Sequence, residues 1–317
     1  MRCCSEWGNL EIKTDPLGIT GSCLLDTQAV VAAASTLPAE SEIVFSESGN
    51  RLNWKCGEAN GHWNRVQSDH SIPTINHTSF PWTPPATLAS ALRLAASACQ
   101  AQAVSVGLYG IVLEPVGEAL YLLSSNSIAL AAVSIEKGTF PGGKITLRPP
   151  TPDVIATLIG ACPNCVLDIT NEGVFIKGAW LAAHLPLGIA LQHDLKEVAD
   201  QYPTATHTTK IDNAAVQKFI ARARMLSDRH AAFTIGLRIE AGKLALTHAG
   251  ISSSTEEFFM AEGLDPSISF ESKPYPADML LVALPHVETA VFDYLSANTL
   301  ILKGSDPSFL YVVGGGE

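Results

Sequence analysis

Residues 110–122 read GIVLEPVGEALYL, and residues 236–246 read GLRIEAGKLAL. The two segments share one pattern and lie about 126 residues apart. Each predicts a strand, a tight turn at a glycine after a glutamate, and a second strand, because alternating apolar residues flank the turn. Similarity at a fixed period is typical of a chain built from repeated units.

Helices rich in small apolar residues are predicted directly before these two arrays. A separate series of helices is predicted about half a period away from them along the chain. The predicted helices are 26–37, 83–101, 151–159, 211–226 and 277–294, the last broken at Pro285. The second helix series, 83–101 and 211–226, precedes the two arrays. The first series consists of the helices 26–37, 151–159 and 277–294. Each of them is followed by a pair of predicted strands: 42–45 with 51–56, 165–169 with 173–177, and 299–303 with 309–313. Amphipathic helices and period-2 strands in repeated units predict an α+β fold whose sheets carry helices on one face.

The alternation of the two unit types predicts three domains. These are a half domain at 1–80 and complete two-unit domains at 81–207 and 208–317, with residues 81–85 as a linker. A further unit would precede the first helix, so the first half of the first domain is expected to be missing. Residues around Cys3 and Cys4 are expected to form a frayed terminus.

Charge and hydropathy exclude several classes of protein. Thirty-one acidic residues oppose twenty Lys and Arg, giving a net charge of −11, which argues against nucleic-acid binding through bulk charge. The most apolar stretch, 179–191, is shorter than the roughly 20 residues of a membrane span, and residues 1–20 lack a signal peptide. A soluble cytoplasmic protein is therefore expected, without a membrane partner.

Cys162-Pro163-Asn164-Cys165 forms a C-x-x-C sequence. It is compatible with a redox pair or half of a zinc site. No second ligand pair follows at a matching spacing, so the favoured interpretation is a helix ending at Pro163 and a strand beginning at Cys165.

Several stretches resemble the bacterial DNA sliding clamp, the DNA polymerase III beta subunit family. LYGIVLE at 108–114 and LYLLSSNSIAL at 120–130 are similar to the family's middle-domain signature, and FIARARMLSD at 219–228 to a third-domain helix. Further similar segments are 37–57, 256–257, 268–275 and 311–313. The resemblance implies the DNA clamp fold and a processivity factor that encircles duplex DNA and tethers polymerase and clamp-loader peptides. It also implies a non-catalytic accessory subunit without cofactor or metal, in a homodimer ring or another homo-oligomer.

The chain departs from the family pattern at two places besides its first domain. The loop that normally reads T-D-G-x-R-L reads Ser125-Asn126-Ser127-Ile128-Ala129-Leu130, without the Asp, Gly and Arg. The end reads VGGGE at 313–317 in place of a V-x-P-hydrophobic-R tail. The resemblance therefore implies a divergent clamp.

A clamp needs cations that contact phosphates without reading bases. On the helix 211–229, Lys218, Arg222 and Arg229 fall in one stripe about 40° wide, which an ordinary solvated face explains equally well. The other helices offer only Arg93 and Arg148. Any DNA affinity of the free protein is expected to be weak and salt-sensitive.

The resemblance implies two further sites. A partner-peptide pocket maps onto Leu108, Ser125, Ser127, Leu130, Pro203 and Val312, although the apolar members could equally be ordinary core. An oligomer interface maps onto Trp63, Val66, Met225 and Leu226.

Two other functions stay open at this point. One is a clamp-like interaction module that no longer encircles DNA, which the weak basic charge favours. The other is an uncharacterised hydrolase, but the sequence has no nucleophile elbow, zinc-protease motif, phosphate-binding loop or dinucleotide fingerprint. His184, His193, His207 and His248 are isolated along the chain, so structural roles are favoured for them.

Overall fold

The structure is a computed structural model that describes most of the chain. The described residues are 2–5, 8–12, 42–65, 81–99, 109–149, 151–162, 164–170, 173–179, 181–191, 193–202, 207–227, 232–250, 253–286, 289–296, 299–305 and 308–314. They fall into two compact units, one formed by 1–81 with 164–186 and the other by 82–163 with 187–317. The three-domain division stays a prediction.

The first unit contains two antiparallel sheets. One has five strands in the order β1 (Arg2–Ser5), β2 (Gly8–Ile12), β12 (Leu181–Leu185), β11 (Gly173–Lys177) and β10 (Val166–Thr170). The other has three: β3 (Val44–Ser48), β4 (Arg51–Cys56) and β5 (Ala59–Asn64).

The N-terminal segment differs from the sequence-based expectation. Residues 2–5 and 8–12 form a hairpin, and β2 continues the sheet by pairing with β12, for example Ala183 opposite Leu10. The expectation of a frayed terminus was wrong for these residues. The strand that joins β2 to the rest of the sheet, β12, lies about 170 residues away, and such pairing leaves little local trace in a short strand.

The second unit is organised around an eight-stranded antiparallel sheet. Its order is β13 (His207–Asp212), β19 (Thr289–Ser296), β20 (Thr299–Ser305), β21 (Ser308–Gly314), β8 (Ala129–Glu136), β7 (Ala119–Ser125), β6 (Ile111–Val116) and β9 (Ile145–Leu147). The pairing of β21 with β8 joins two three-stranded meanders, β6–β8 and β19–β21, into one sheet.

A second sheet of this unit contains five strands. The path is β16 (Ser254–Phe259), β15 (Lys243–Ala249), β14 (Thr234–Glu240) and β17 (Phe270–Glu271), and β18 (Tyr275–Pro276) also pairs with β14. The five described α-helices all belong to this unit: α1 (Leu88–Ser97), α2 (Thr151–Ala161), α3 (Leu195–Asp200), α4 (Asn213–Leu226) and α5 (Ala277–Ala283).

The predicted repeat is confirmed in element order. Three-stranded meanders follow α1, α2, α4 and α5, and β3–β5 form a fifth; the helix predicted at 26–37 lies outside the described residues. Both hairpins of the opening pattern form as predicted, Leu113 pairing with Leu122 and Leu237 with Leu246.

One predicted segment needs correction. The helix predicted at 277–294 ends at Ala283, a 3-10 turn follows at Leu284–His286, and 289–296 is strand β19. Pro285 stops the helix because it has no N–H to donate, and β19 finds its partner in β13. The predicted linker also holds Trp82, which is fully buried, packs edge-on against Phe140 and donates its indole N–H to the Lys137 carbonyl.

The helices of the second unit lie on both faces of the eight-stranded sheet. α2 packs against α1, α1 against α5, and α5 against α4, which forms a helix layer. Ser124 donates to the Ala95 carbonyl of α1, whereas its neighbour Leu123 packs with Leu195 of α3. Since successive strand residues point to opposite faces, α3 covers the face that the helix layer leaves open.

Candidate binding cavity

A cavity of about 240 Å³ lies on the α3 side of the eight-stranded sheet. Its apolar lining is Ile128, Ala129, Leu130, Leu195, Val198 and Val312. Its polar lining includes Ser125, Ser127, His193, Tyr202 and Thr299. An apolar concavity with a few polar groups at its rim suits a short peptide or a small ligand.

The floor of the cavity lies where the two meanders join. Val312 of β21 stands directly opposite Leu130 of β8, and both side chains are at least 95% buried. They belong to a core cluster with Leu123, Leu195 and Ile301. The floor is therefore rigid core, and the exposed part of the cavity is its rim.

One rim is the turn between β7 and β8, which Asn126 holds closed. Its Oδ1 accepts hydrogen bonds from the backbone N–H groups of Ile128 at 3.0 Å and Ala129 at 2.7 Å. Ser125 Oγ donates to the Ala129 carbonyl at 2.9 Å. Ser127, at the tip, has φ of 73°, a left-handed conformation that costs a non-glycine residue free energy.

The opposite wall is α3, which begins at the N-cap Asp194. The Asp194 carboxylate accepts from the N–H groups of Lys196 and Glu197 at 3.0 and 3.1 Å. The Glu197 N–H, followed by Lys144 and the Lys196 N–H, lowers the pKa of the Asp194 carboxyl despite the opposing effect of burial. Lys144 lies 3.7 Å from Asp194 and 3.0 Å from Glu114 of β6, so it connects the helix start to the sheet.

Lys196 fixes the remaining side of α3. Its ammonium lies 2.5 Å from Asp200, one turn later, and 4.6 Å from the centre of the Tyr121 ring on β7. The hydrogen bond to Asp200 raises the pKa of Lys196. With Leu195 and Ala199 buried beneath, the helix holds Val198 and Tyr202 at the cavity.

The structure brings together four of the six residues predicted for a peptide pocket. Ser125, Ser127, Leu130 and Val312 all line the cavity, while Leu108 and Pro203 lie outside the described residues. The wall formed by α3 was missed. The sequence carried a signal for it, because Asp194 followed by Glu197 is a helix-start pattern.

The predicted DNA-contacting residues are placed on or near the helix layer. Arg93 on α1 and Lys218 on α4 are exposed, whereas Arg222 forms an ion pair with Glu257 of β16. Arg148 is half-buried just before α2, and Arg229 lies outside the described residues.

Carboxylates reduce the positive charge of this layer. Arg224, which the predicted stripe omits, lies 3.1 Å from Asp278 of α5, and its guanidinium is 5.9 Å from the Phe233 ring centre. Asp153 on α2 is exposed as well. Within the described helices, the layer is therefore only weakly basic.

The residues predicted for an oligomer interface have different surroundings. Trp63 is half-buried on β5, with its ring 5.8 Å from Trp54 and 6.1 Å from Phe45. Met225 and Leu226, at the end of α4, are 86% and 45% exposed. Val66 lies outside the described residues.

Phe258 and Met260 are two further exposed apolar residues of the second unit, and the sequence did not point to them. They are 52% and 95% exposed, and Phe258 belongs to β16, an edge strand of its sheet. The oligomer interface stays a prediction.

The C-x-x-C sequence lies between the end of a helix and the start of a strand, as predicted. α2 ends at Ala161, β10 begins at Val166, and Cys162 and Cys165 are both buried. Across the described ranges, no group of three or more His, Cys, Asp or Glu side chains is arranged to hold a metal. In the same ranges no helix combines the length and hydropathy needed to span a bilayer.

Comparison with known proteins gives matches at the level of structure. No protein-family model and no curated protein sequence matches the chain. A sliding clamp (DNA polymerase III subunit beta) from Bartonella birtlesii bound to griselimycin superposes with a TM-score of 0.76, at 15% identity over 100% of this chain and 88% of that one. The chain has the sliding-clamp fold.

Two other solved clamps agree. The DNA polymerase sliding clamp from Caulobacter crescentus gives a TM-score of 0.73 at 15% identity, over 100% of this chain and 88% of that one. The Helicobacter pylori beta clamp in complex with 3,4-difluorobenzamide gives 0.73 at 14% identity, with the same coverage. The α+β clamp fold expected from the sequence is confirmed, in a chain that has diverged far from these clamps.

Proposed function

We propose that the chain is a sliding clamp, a DNA polymerase processivity factor that encircles duplex DNA without sequence preference. In this proposal it is a cytoplasmic, non-catalytic subunit that tethers a polymerase and a clamp loader through peptides bound in the cavity. Its domains are 1–80, 81–207 and 208–317, and copies of the chain form a homodimer ring or another closed oligomer.

The cavity is the observation that carries the proposal. It combines an apolar floor at Leu130 and Val312 with a polar turn and a short helix as walls. Such a site can seat the apolar anchors of an extended peptide, while the polar rim side chains of Ser127, His193 and Thr299 can hydrogen-bond to the peptide. Four residues chosen from the clamp resemblance line it, which supports the same function.

Fluorescence anisotropy with a labelled ten-residue peptide carrying two neighbouring leucines tests the cavity. Val198→Asp places a carboxylate against the apolar anchor, and we expect at least tenfold weaker binding, about 1.4 kcal/mol. Val282→Asp on α5 is the matched control, because both valines are 37% exposed on short helices and only Val198 lines the cavity. Equal affinity of the two variants would contradict the assignment.

The ring is tested by the oligomeric state of the protein and by its dependence on DNA without free ends. Size-exclusion chromatography with light scattering gives the oligomeric state, and retention on nicked circular DNA with release upon linearisation identifies encirclement. Met225→Asp, at a position that is 86% exposed, is expected to weaken both the oligomer and the retention. Processive synthesis on primed circular DNA then measures tethering.

A second function is favoured by the charge of the helix layer. Arg222 and Arg224 are engaged by Glu257 and Asp278, so few cations face outward for phosphates. A clamp-like interaction module would bind the peptide and yet be released equally from circular and linear DNA. The same retention experiment therefore separates the two functions.

A further inference from the structure

The solvent face of the three-stranded sheet β3–β4–β5 has an unusual composition. Side chains alternate between the two faces, so every second residue shares this one. On β4 and β5 they are Arg51, Asn53, Lys55, Asn60, His62 and Asn64. The registers place Arg51 opposite Asn64, Asn53 opposite His62, and Lys55 opposite Asn60. We call these six residues and their β3 neighbours the outer grid.

The outer grid is exposed, and it carries no acidic residue. All six side chains are exposed except Asn53, which is half-buried. On β3 the matching positions are Ser46 and Ser48, opposite Asn53 and Arg51, and Val44 opposite Lys55. Every polar side chain of the grid can donate a hydrogen bond. The two cations of this face thus stand without a carboxylate in a chain whose net charge is −11.

The other face of the same sheet provides the contrast. It holds the aromatic cluster of Phe45, Trp54 and Trp63, and its charged residue Glu47 is neutralised by Arg65 at 2.5 Å. By comparison, neither Arg51 nor Lys55 has a carboxylate within ion-pair distance among the described residues. The positive charge of the outer grid is therefore available to a ligand.

We propose that the outer grid binds the phosphate backbone of duplex DNA without reading its sequence. Arg, Lys, Asn, Ser and His side chains are the groups that contact phosphate and sugar oxygens. The grid has no Phe, Tyr or Trp, and its only ring is the imidazole of His62, which is too few stacking platforms for a run of unpaired bases and argues against a single-stranded ligand. Val44 is its only apolar member, which gives too little apolar surface to enter a lipid bilayer.

The dimensions agree with such a contact. Arg51 and Lys55 are four residues apart on one strand, about 13 Å. Over that length of helix axis, one DNA strand presents about four phosphates, so the two cations meet different phosphates. The inference does not rest on the ring, because this sheet belongs to the first unit and the helix layer belongs to the second.

Salt dependence measures the number of cations engaged. Each neutralised phosphate contributes about 0.9 to the slope of log affinity against log salt, so losing two cations lowers the slope by about 2. Between 50 and 200 mM salt, the wild-type protein should therefore lose about tenfold more affinity than a variant without these charges.

The experiment uses the full chain and a labelled 24-base-pair duplex, titrated at four salt concentrations by anisotropy. Arg51→Gln with Lys55→Gln removes the grid cations. Lys243→Gln with Lys273→Gln, two exposed lysines of the other unit, removes the same charge elsewhere. Arg51→Lys with Lys55→Arg retains the charge. Thermal unfolding checks that all variants keep the wild-type midpoint.

We expect the slope to fall only in the Arg51→Gln, Lys55→Gln variant and to return with the charge-retaining pair. Equal slopes for this variant and the wild type overturn the proposal, as does the absence of duplex binding at 50 mM salt. Preferential binding to a single strand, or to vesicles with 30% anionic lipid, also overturns it. A separate variant, Arg93→Gln with Lys218→Gln, reports on the helix layer, so failure of the ring and failure of the grid are distinguishable.

Discussion

Replacing Asn126 by alanine tests how the cavity rim is held. The substitution removes the Oδ1 atom that accepts from Ile128 N–H at 3.0 Å and Ala129 N–H at 2.7 Å. Each such bond contributes about 0.5–1.5 kcal/mol, and the turn is only half-buried. We therefore expect the turn to lose about 1–2 kcal/mol of local stability.

Hydrogen exchange measured by mass spectrometry on a peptide spanning 120–132 reads this loss directly. A change of about 1–2 kcal/mol accelerates exchange of the two amides by about 5- to 30-fold. Asn126→Asp is the matched control, since a carboxylate oxygen can accept the same two bonds. If Asn126→Ala exchanged like the wild type, or Asn126→Asp exchanged as fast as Asn126→Ala, the side-chain acceptor would not be what closes the turn.

Three further predictions address strain, charge and pH. Ser127→Gly relieves the left-handed backbone at φ 73° and should raise local stability by about 0.5–1 kcal/mol, seen as slower exchange in the same peptide; faster exchange would contradict it. Asp278→Asn releases Arg224 and should steepen the salt dependence of duplex binding by about 1; an unchanged slope would show that Arg224 does not reach phosphate. Because the pKa of Asp194 is lowered in the folded protein, its carboxylate stabilises α3 at pH values above 3.8, the ordinary pKa of this group. This stabilisation is lost as the pH falls through the lowered pKa, so peptide affinity should drop below about pH 4. Asp194→Asn, which cannot titrate, should flatten that drop, and a profile identical to the wild type would reject the cap as its cause.

Local pattern predicted the meanders well. The arrays beginning at Gly110 and Gly236 combine strict alternation with a glycine turn, and both fold as the paired hairpins expected. Gly117 and Gly242 in these turns have φ of 58° and 73°, which explains why glycine stands there. In these two hairpins the turn and both strands are adjacent in sequence, and strict alternation with a glycine turn was enough to predict them.

Pairing with distant partners could not be predicted in the same way. Residues 289–294 were assigned to a helix, yet the strand 289–296 pairs with 207–212 and joins the large sheet. The strand at 8–12 was missed although it forms a hairpin with 2–5, because its other partner, β12, lies far along the chain. In each case a non-local strand pairing overrides a weak local preference.

Only part of the cavity was predicted, again because some of its walls are positioned by contacts between residues that are distant in sequence. Family resemblance located the turn at Ser125 and Ser127 and the floor at Leu130 and Val312. It did not locate α3, a helix of six residues whose start at Asp194 was visible as a capping pattern. Its position against Tyr121 and Glu114 depends on Lys196 and Lys144, which only the folded sheet brings within reach.

The junction of β21 with β8 has a consequence for how the cavity could be inherited or engineered. Half of the floor is encoded near residue 130 and the other half near residue 312, and the two halves become neighbours only through six backbone-paired positions. A fragment that ends before β21 keeps the turn and α3 but has no complete receptor. Any molecule bound there would contact both β8 and β21 and so link the two strands. Binding should therefore be detectable as slower separation of β21 from β8, even where the bound and free structures do not differ.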